Sequence, residues 1–385
     1  MSSIKIYTYL IILSQLIFMA CQKDAPSDIQ NEAYVKNFGG INNDEAKDFI
    51  QHENNLYLIG NLISNEGSSQ IMMVKTDAFG NRVWQSEFAI GETCEAEQVI
   101  KLNQQAGFAI IGSTLSNQSD QFYDLLLLLV DDEGSLTDTI VFDFQTSEKG
   151  RCLVELEDGS LILLGVSAPN TTTAINQRLL IKTDNTGRNV LIHHLKPATE
   201  LYAITPATSG NFYAAFTNNN KAQIALINSN GSDSHTEIEL AATLTYLTVD
   251  SNNQLFACGT ASNGTNGRND ILIAALTYNE LNGNFIVDWQ KNLGSSQNDQ
   301  GNHLSLTENG TLLCTGSVQN PQLNTSDMTV FEVDQNGTVL KEKRIGGSNN
   351  EFGIKSLESG DQIIILSTTV FTNTSMISIT KFSFE

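Results

Sequence analysis

Carboxylates recur along this chain about every fifty residues, with two units skipped between Glu148 and Asp299. Asp44 and Glu45, then Glu95, Glu148, Asp299 and Glu351, each stand just ahead of a short apolar strand. Asp124, Asp270 and Asp327 form a second set, ahead of later strands. Oxygen ligands gathered in a ring suit a hard cation such as calcium, with Asp44, Glu148, Asp299 and Glu351 as the ligands to expect. Two acids at a fixed separation would also serve glycoside hydrolysis. The same groups have a plainer use: a carboxylate in the loop entering a strand accepts backbone N–H bonds. Repetition in unit after unit favours that plainer role, since a site needs one copy. The five histidines, His52, His193, His194, His235 and His303, show no His-x-x-x-His or His-x-His spacing, so no transition-metal site is expected. Neither a Gly-x-Ser-x-Gly elbow nor a P-loop occurs. The expectation is therefore no catalytic residue and no cofactor, with calcium as the one metal the carboxylates would suit.

The elements that position these groups repeat about every fifty residues. Leu56-Tyr57-Leu58-Ile59-Gly60, Phe108-Ala109-Ile110-Ile111-Gly112 and Leu161-Ile162-Leu163-Leu164-Gly165 are the clearest copies of one strand. Weaker copies end at Phe216, Gly259, Gly316 and Ser367, which makes seven. Each unit reads as four strands, A to D. In the first, A is 46–52, B is 56–63, C is 71–76 and D is 82–88. The A–B and C–D connections are short and rich in Asx and Gly, as at Glu157-Asp158-Gly159 and Asp184-Asn185-Thr186-Gly187. Such turns supply the side-chain hydrogen bond and positive φ that tight hairpins need. Four hairpin-linked strands per unit make a propeller blade. The last unit stops after its C strand, while a D-like phrase, Lys36-Asn37-Phe38-Gly39-Gly40, opens the repeat region. The expected fold is all-β: a seven-bladed β-propeller of four-stranded blades over 33–385, whose N-terminal strand at 34–38 completes the last blade and hides both edges.

Alternating strand direction puts the tight turns on one face and the long B–C and D–A loops on the other. Variable loops on a rigid scaffold tend to carry function, so the B–C/D–A face is the expected ligand face. Phe122, Tyr123 and Tyr278 lie in or near loops and serve either a ligand surface or packing.

Residues 1–20 read as an export signal: Lys5, then an apolar run from Ile6 to Ala20 that is short for a membrane span. Phe18-Met19-Ala20-Cys21 resembles the lipobox of bacterial lipoproteins. The resemblance implies cleavage before Cys21 and a lipid on its thiol, with 21–32 as a flexible tether. A net charge of −22 argues against nucleic acid as a partner. Export permits disulfides. Cys94 and Cys152 are the candidates to pair, whereas Cys258 and Cys314 read as small hydrophobes inside strands.

Asp77-Ala78-Phe79-Gly80-Asn81-Arg82-Val83-Trp84 resembles the Asp…Gly…Trp phrase of quinoprotein-like propellers, with one residue fewer between Asp and Gly. Over about residues 33–385 the chain resembles uncharacterised secreted propeller lipoproteins of Bacteroidetes, whose repeats carry Gly-Gly-x-x-x-Asp before strand A. The resemblance implies an outer-membrane lipoprotein, facing the periplasm or the cell surface. The expected function is a monomeric, non-catalytic scaffold presenting its loop face to a protein, peptide or glycan. Two rivals stand beside it. One is an accessory lipoprotein of outer-membrane assembly. The other is a carbohydrate-active enzyme drawing on Glu45, Glu95, Asp299 or Glu351.

Overall fold

The computed structural model describes residues 33–384 apart from 117–121, 169–175, 198–199, 208–209, 219–220, 229–232, 239 and 263. The expected signal, Cys21 and tether lie outside the described residues. From Ala33 onward the chain is one compact unit. It holds seven four-stranded antiparallel sheets, six of them running in simple sequence order. The seventh takes Asn350–Ser359, Gln362–Val370 and Ser375–Phe382 and adds the N-terminal strand Tyr34–Phe38 at its outer edge. Five residue pairs, from Tyr34 opposite Lys381 to Phe38 opposite Ile377, zip the start of the ring to its end. The expected seven-bladed propeller, closed by its first strand, is the observed fold.

The first strands of the blades form the inner wall. They are Glu45–His52, Thr93–Lys101, Ser147–Glu155, Glu200–Pro206, Ala242–Val249, Asp299–Leu306 and Asn350–Ser359. Each packs against the first strands of both neighbouring blades, and the circuit closes between blades 7 and 1. Middle strands are apolar on both faces because a blade lies against each: Asp124–Val130 is buried at every position after the first. Among the described residues the core divides into seven apolar clusters, each confined to one seam between adjacent blades. Ile59 of blade 1 and Ile110 of blade 2 share one such cluster, and Ile111 and Leu163 share the next. Each fully buried side chain of this size contributes about 1.5–3 kcal/mol.

Every inner strand carries a β-bulge at the same place. The register jumps between Ala46 and Asp48, Ala96 and Gln98, Gly150 and Cys152, Leu201 and Ala203, Leu244 and Tyr246, Gly301 and His303, and Gly353 and Lys355. The bulge explains the glycine that five of the seven second strands carry opposite it. A Cβ at Gly60, Gly112, Gly165, Gly259 or Gly316 would strike the carbonyl oxygen of the residue just before the bulge region, such as Glu45 or Glu95. In blade 4 Phe216 stands at that position, and the buried Arg178 guanidinium lies 3.9 Å from its ring centroid.

The tight turns work as their sequences imply. Asp77 Oδ1 accepts the N–H groups of Phe79 at 2.9 Å and Asn81 at 2.8 Å, and Gly80 supplies a φ of 73°. The outer strand of the preceding blade covers each such turn. Trp84 lies against Gly134, Trp289 against Gly337, and Tyr34 against Gly80. The N-terminal strand thus does for blade 1 what an ordinary outer strand does for the blade that follows it.

Candidate functional site

The bulge fixes which residues are equivalent, and it divides the first carboxylate set. Two residues before the bulge's first partner stand Asp44, Cys94, Glu148, Ala242, Asp299 and Glu351. Glu45 and Glu95 occupy the next position, so the blade 2 equivalent of Asp44 is Cys94, not Glu95. Glu45 is exposed and pairs at 3.4 Å with Lys47.

The aligned acids serve their own loops. Asp44 is 1% exposed and accepts the N–H groups of Gly40 at 2.5 Å and Ile63 at 3.3 Å. Asp299 accepts N–H bonds from Ser295 and, at 2.9 Å, Gln319. Glu148 accepts from Phe144 N–H at 3.4 Å, from the Ser167 hydroxyl at 3.3 Å and from the Thr146 hydroxyl. Cys94 Sγ replaces a carboxylate, accepting from Ile90 N–H and donating to Phe88 O. This position ties the loop entering a blade to the strands beside it, and the acids do not converge on one ring.

The second set meets the first across seams. Asp124, Asp143 and Glu148 place oxygens within 4.8 Å of one another, the one such trio among the described residues. Burial raises the Glu148 pKa and the Asp124 charge adds to the rise. Burial likewise raises Glu351, with Asp327 adding. Of the four expected calcium ligands, Glu148 alone belongs to such a trio.

The chemistry that does converge lies deeper, at the bulges. The extra residue leaves two consecutive side chains at the inner wall, the second turned toward the next blade, as Asp48, Gln98, Cys152 and Ala203 are. The resulting pairs are Lys47–Asp48, Glu97–Gln98, Arg151–Cys152, Tyr202–Ala203, Thr245–Tyr246, Asn302–His303 and Ile354–Lys355. All line a central cavity of about 420 Å³. Lys355 Nζ lies 2.8 Å from Asp48 Oδ1, while Asp48 Oδ2 accepts Val99 N–H at 3.1 Å. Arg151 bridges Glu97 at 3.1 Å and Glu200 at 3.2 Å. Gln98 accepts Leu153 N–H at 2.7 Å, and Asn302 donates to Gly353 O at 2.7 Å. Each of these bonds crosses to a neighbouring blade, so the wall is stitched at the level where it is most polar.

Tyr246 and His303 pack together, their rings tilted by 53° with centroids 4.1 Å apart. Burial, reinforced by the Lys355 charge, drives the His303 pKa well below its usual value, so the imidazole is neutral. Its Nδ1 is buried without a partner, as is Arg151 Nε. Burial opposes the Lys355 charge, but Asp48 and Tyr246 outweigh it and the ammonium pKa is raised. Burial raises the Tyr246 hydroxyl; Lys355 opposes that rise and Asp48 adds to it.

Reading the sequence for acids before strand A stops one step short of this site. The available signal was a small residue followed by two polar ones inside an apolar repeat: Ala46-Lys47-Asp48, Ala96-Glu97-Gln98, Gly301-Asn302-His303. The four described cysteines are unpaired, and Cys258 and Cys314 are buried in strands as small hydrophobes. Cys94 and Cys152, the candidates to pair, belong to different seams. Cys258 and Cys314, in contrast, face each other across the seam of blades 5 and 6 with sulfurs 3.5 Å apart. Tyr278 stands near the end of the strand Asn269–Asn279 and packs on Phe285 at 4.9 Å, and Lys149 lies 4.9 Å over the Tyr123 ring.

Neither a protein-family model nor a curated protein sequence matches the chain. Solved structures match in fold. The β-propeller domain of the trilobed protease from Pyrococcus furiosus, described as having an open velcro topology, gives a TM-score of 0.52 at 8% identity, covering 90% of this chain and 97% of that one. A protein from Lactobacillus plantarum gives 0.51 at 9% identity, covering 87% and 99%. Trypanosoma rangeli sialidase in complex with the inhibitor DANA gives 0.52 at 9% identity, covering 89% of this chain and 55% of the sialidase. At such identities the likeness is one of fold alone. The likeness to these proteins is that of a β-propeller fold; in this chain the propeller has seven blades, with its ring closed by residues 34–38.

Proposed function

We propose that this protein is a non-catalytic binding propeller, anchored in the outer membrane by lipid on Cys21, which takes an extracytoplasmic protein, peptide or glycan at its loop face and central channel. The observation that carries this reading is the pairwise clamping of the channel's ionic groups. General acid–base chemistry needs a group free to exchange a proton with the substrate. Here Asp48 is held by Lys355 and a backbone N–H, and Glu97 by Arg151. Held groups of this kind recognise a ligand without reorganising.

The direction of the first strand supports the anchoring. Tyr34 enters the ring beside Gly80, at the face of tight turns. The B–C and D–A loops lie at the opposite end of that strand. No cofactor enters the proposal.

Two measurements test it in intact cells. Palmitate labelling and membrane retention should both disappear in Cys21→Ser; a variant that stays in the membrane fraction would remove the anchor. Photo-crosslinkers at the exposed Ile41 and Leu323, on the loop face, should capture an envelope component that crosslinkers at Phe79 and Leu281, on the turn face, do not. Equal capture from both faces, or from neither, would remove the binding reading.

A further inference from the structure

We propose that the central channel binds a neutral saccharide unit; this rests on the reading above that the channel is a ligand site. Charge supplies the first argument. The protein carries −22 overall, which disfavours an approaching anion. The cavity wall nevertheless holds Lys47, Arg151 and Lys355 against Asp48 and Glu97, which disfavours a cation. The ion pairs Lys355–Asp48 and Arg151–Glu97 already satisfy each other's charge. A charged ligand would pull one partner from its mate, at the expense of a buried, uncompensated ion. A neutral ligand with many dipoles can hydrogen-bond to both members and disturb neither.

Shape and polarity supply the second argument. Blades 4 and 5 give the cavity an apolar and aromatic side, from Leu201, Tyr202, Ile204 and Tyr246. The other blades supply the ion pairs and the amides of Gln98 and Asn302. A matching ligand has one apolar face and a rim of groups that both donate and accept. Hydroxyls have that property, each with one donor and two acceptor lone pairs. A pyranose ring presents such a rim around a C–H face that fits a tyrosine ring. A peptide matches less well. It is read along a straight, unbroken strand edge, and each inner strand here is bulged at the cavity.

Two buried polar atoms of the wall-lining residues lack hydrogen-bond partners. His303 lines the cavity and is 3% exposed, and its Nδ1 has no partner. Arg151 Nε is buried and unpartnered on the opposite part of the wall. An unpaired buried polar group costs free energy, and a ligand hydroxyl that reached either atom would offset that cost. A neutral imidazole can accept from a hydroxyl or donate to one, so a saccharide satisfies either tautomer.

The test is saturation-transfer NMR on the full chain in detergent. The probes are glucose, galactose, mannose and N-acetylglucosamine, with glucuronate, glucosamine and N-acetyl-triglycine amide as charged and peptide controls. At least one neutral sugar should receive saturation and titrate to a saturable Kd. Tyr202→Ala should weaken that Kd by roughly tenfold, the scale of a lost aromatic stack. Gln300→Ala, an exposed residue of the same wall, should weaken it too, and Leu281→Ala should leave it unchanged. Silence from every neutral sugar overturns the proposal. So does preferential binding of glucuronate, glucosamine or the peptide, or binding indifferent to Tyr202 and Gln300. If the sugars fail while Ile41 and Leu323 still capture an envelope component, the saccharide inference falls and the binding function stands.

Discussion

The Lys355 ammonium lies 2.8 Å from the Asp48 carboxylate, joining the last blade to the first inside the channel. Asp48 also accepts Val99 N–H from blade 2, so one carboxylate connects three blades. The outer rim closes separately, through the pairing of residues 34–38 with the final strand. The ring is therefore fastened at the same seam from both sides.

Lys355→Met should leave Asp48 buried and unpaired, destabilising the fold by about 3 kcal/mol. Asp48→Asn should cost a similar amount, and the double variant much less than the sum. Urea unfolding of the four proteins measures the coupling; strictly additive losses would show that the pair is not a unit. Because the folded pKa of Lys355 is raised, its contribution is complete below the unfolded value of about 10.4. It should fade as pH climbs above that value.

Gly112→Ala should destabilise by about 1–3 kcal/mol, the usual cost of overpacking, since the new methyl would strike the Glu95 carbonyl. Gly347→Ala, where a Cβ meets nothing within 4 Å, is the matched control. Equal melting temperatures for the two variants would mean that the bulge does not dictate glycine.

Glu148→Gln should be no less stable than the parent at pH 7. Burial beside Asp124 raises the Glu148 pKa, so the folded state prefers the protonated acid. That preference stabilises the parent below about pH 4.3, the unfolded value, and is lost as pH rises through the higher folded value. The stability difference between variant and parent should thus shift against Glu148 between acid and neutral pH. Thermal melts across that range decide it, and a difference independent of pH would contradict the sign.

Deleting residues 34–38 should expose the unpaired edge of Ser375–Phe382 and uncover Gly80. Open edges invite intermolecular pairing, so the truncated chain should elute as oligomers and lose cooperative unfolding. A monomer with the parental melting temperature would show that the closure contributes little.

Much of the fold was legible because its signals are local. Asp77 and Gly80 announce a turn within four residues, and the second-strand phrase ending at Gly112 repeats almost unchanged. The closing strand was legible because Lys36–Gly40 copies phrases that elsewhere end a complete blade. The site was less legible because its address depends on an irregularity. A bulge adds one residue without any marker of its own, so Glu95 looks like the partner of Asp44 when Cys94 holds that place. His303 and Lys355 look like stray polar residues in strands until the ring brings blades 5, 6, 7 and 1 around one axis. Pairs such as Asp327 and Glu351 belong to different blades, and only the seam makes them neighbours.

The orientation of the first strand has a mechanical consequence. Its N-terminal end emerges at the face of tight turns, and its five rungs to Ser375–Phe382 run in step along its length. Tension applied at Ala33 and directed away from that face would act parallel to the strand. All five rungs would then resist sliding together instead of parting one after another. A disc pulled in this way holds its rim shut against drag, whereas the same strand pulled sideways would unpeel.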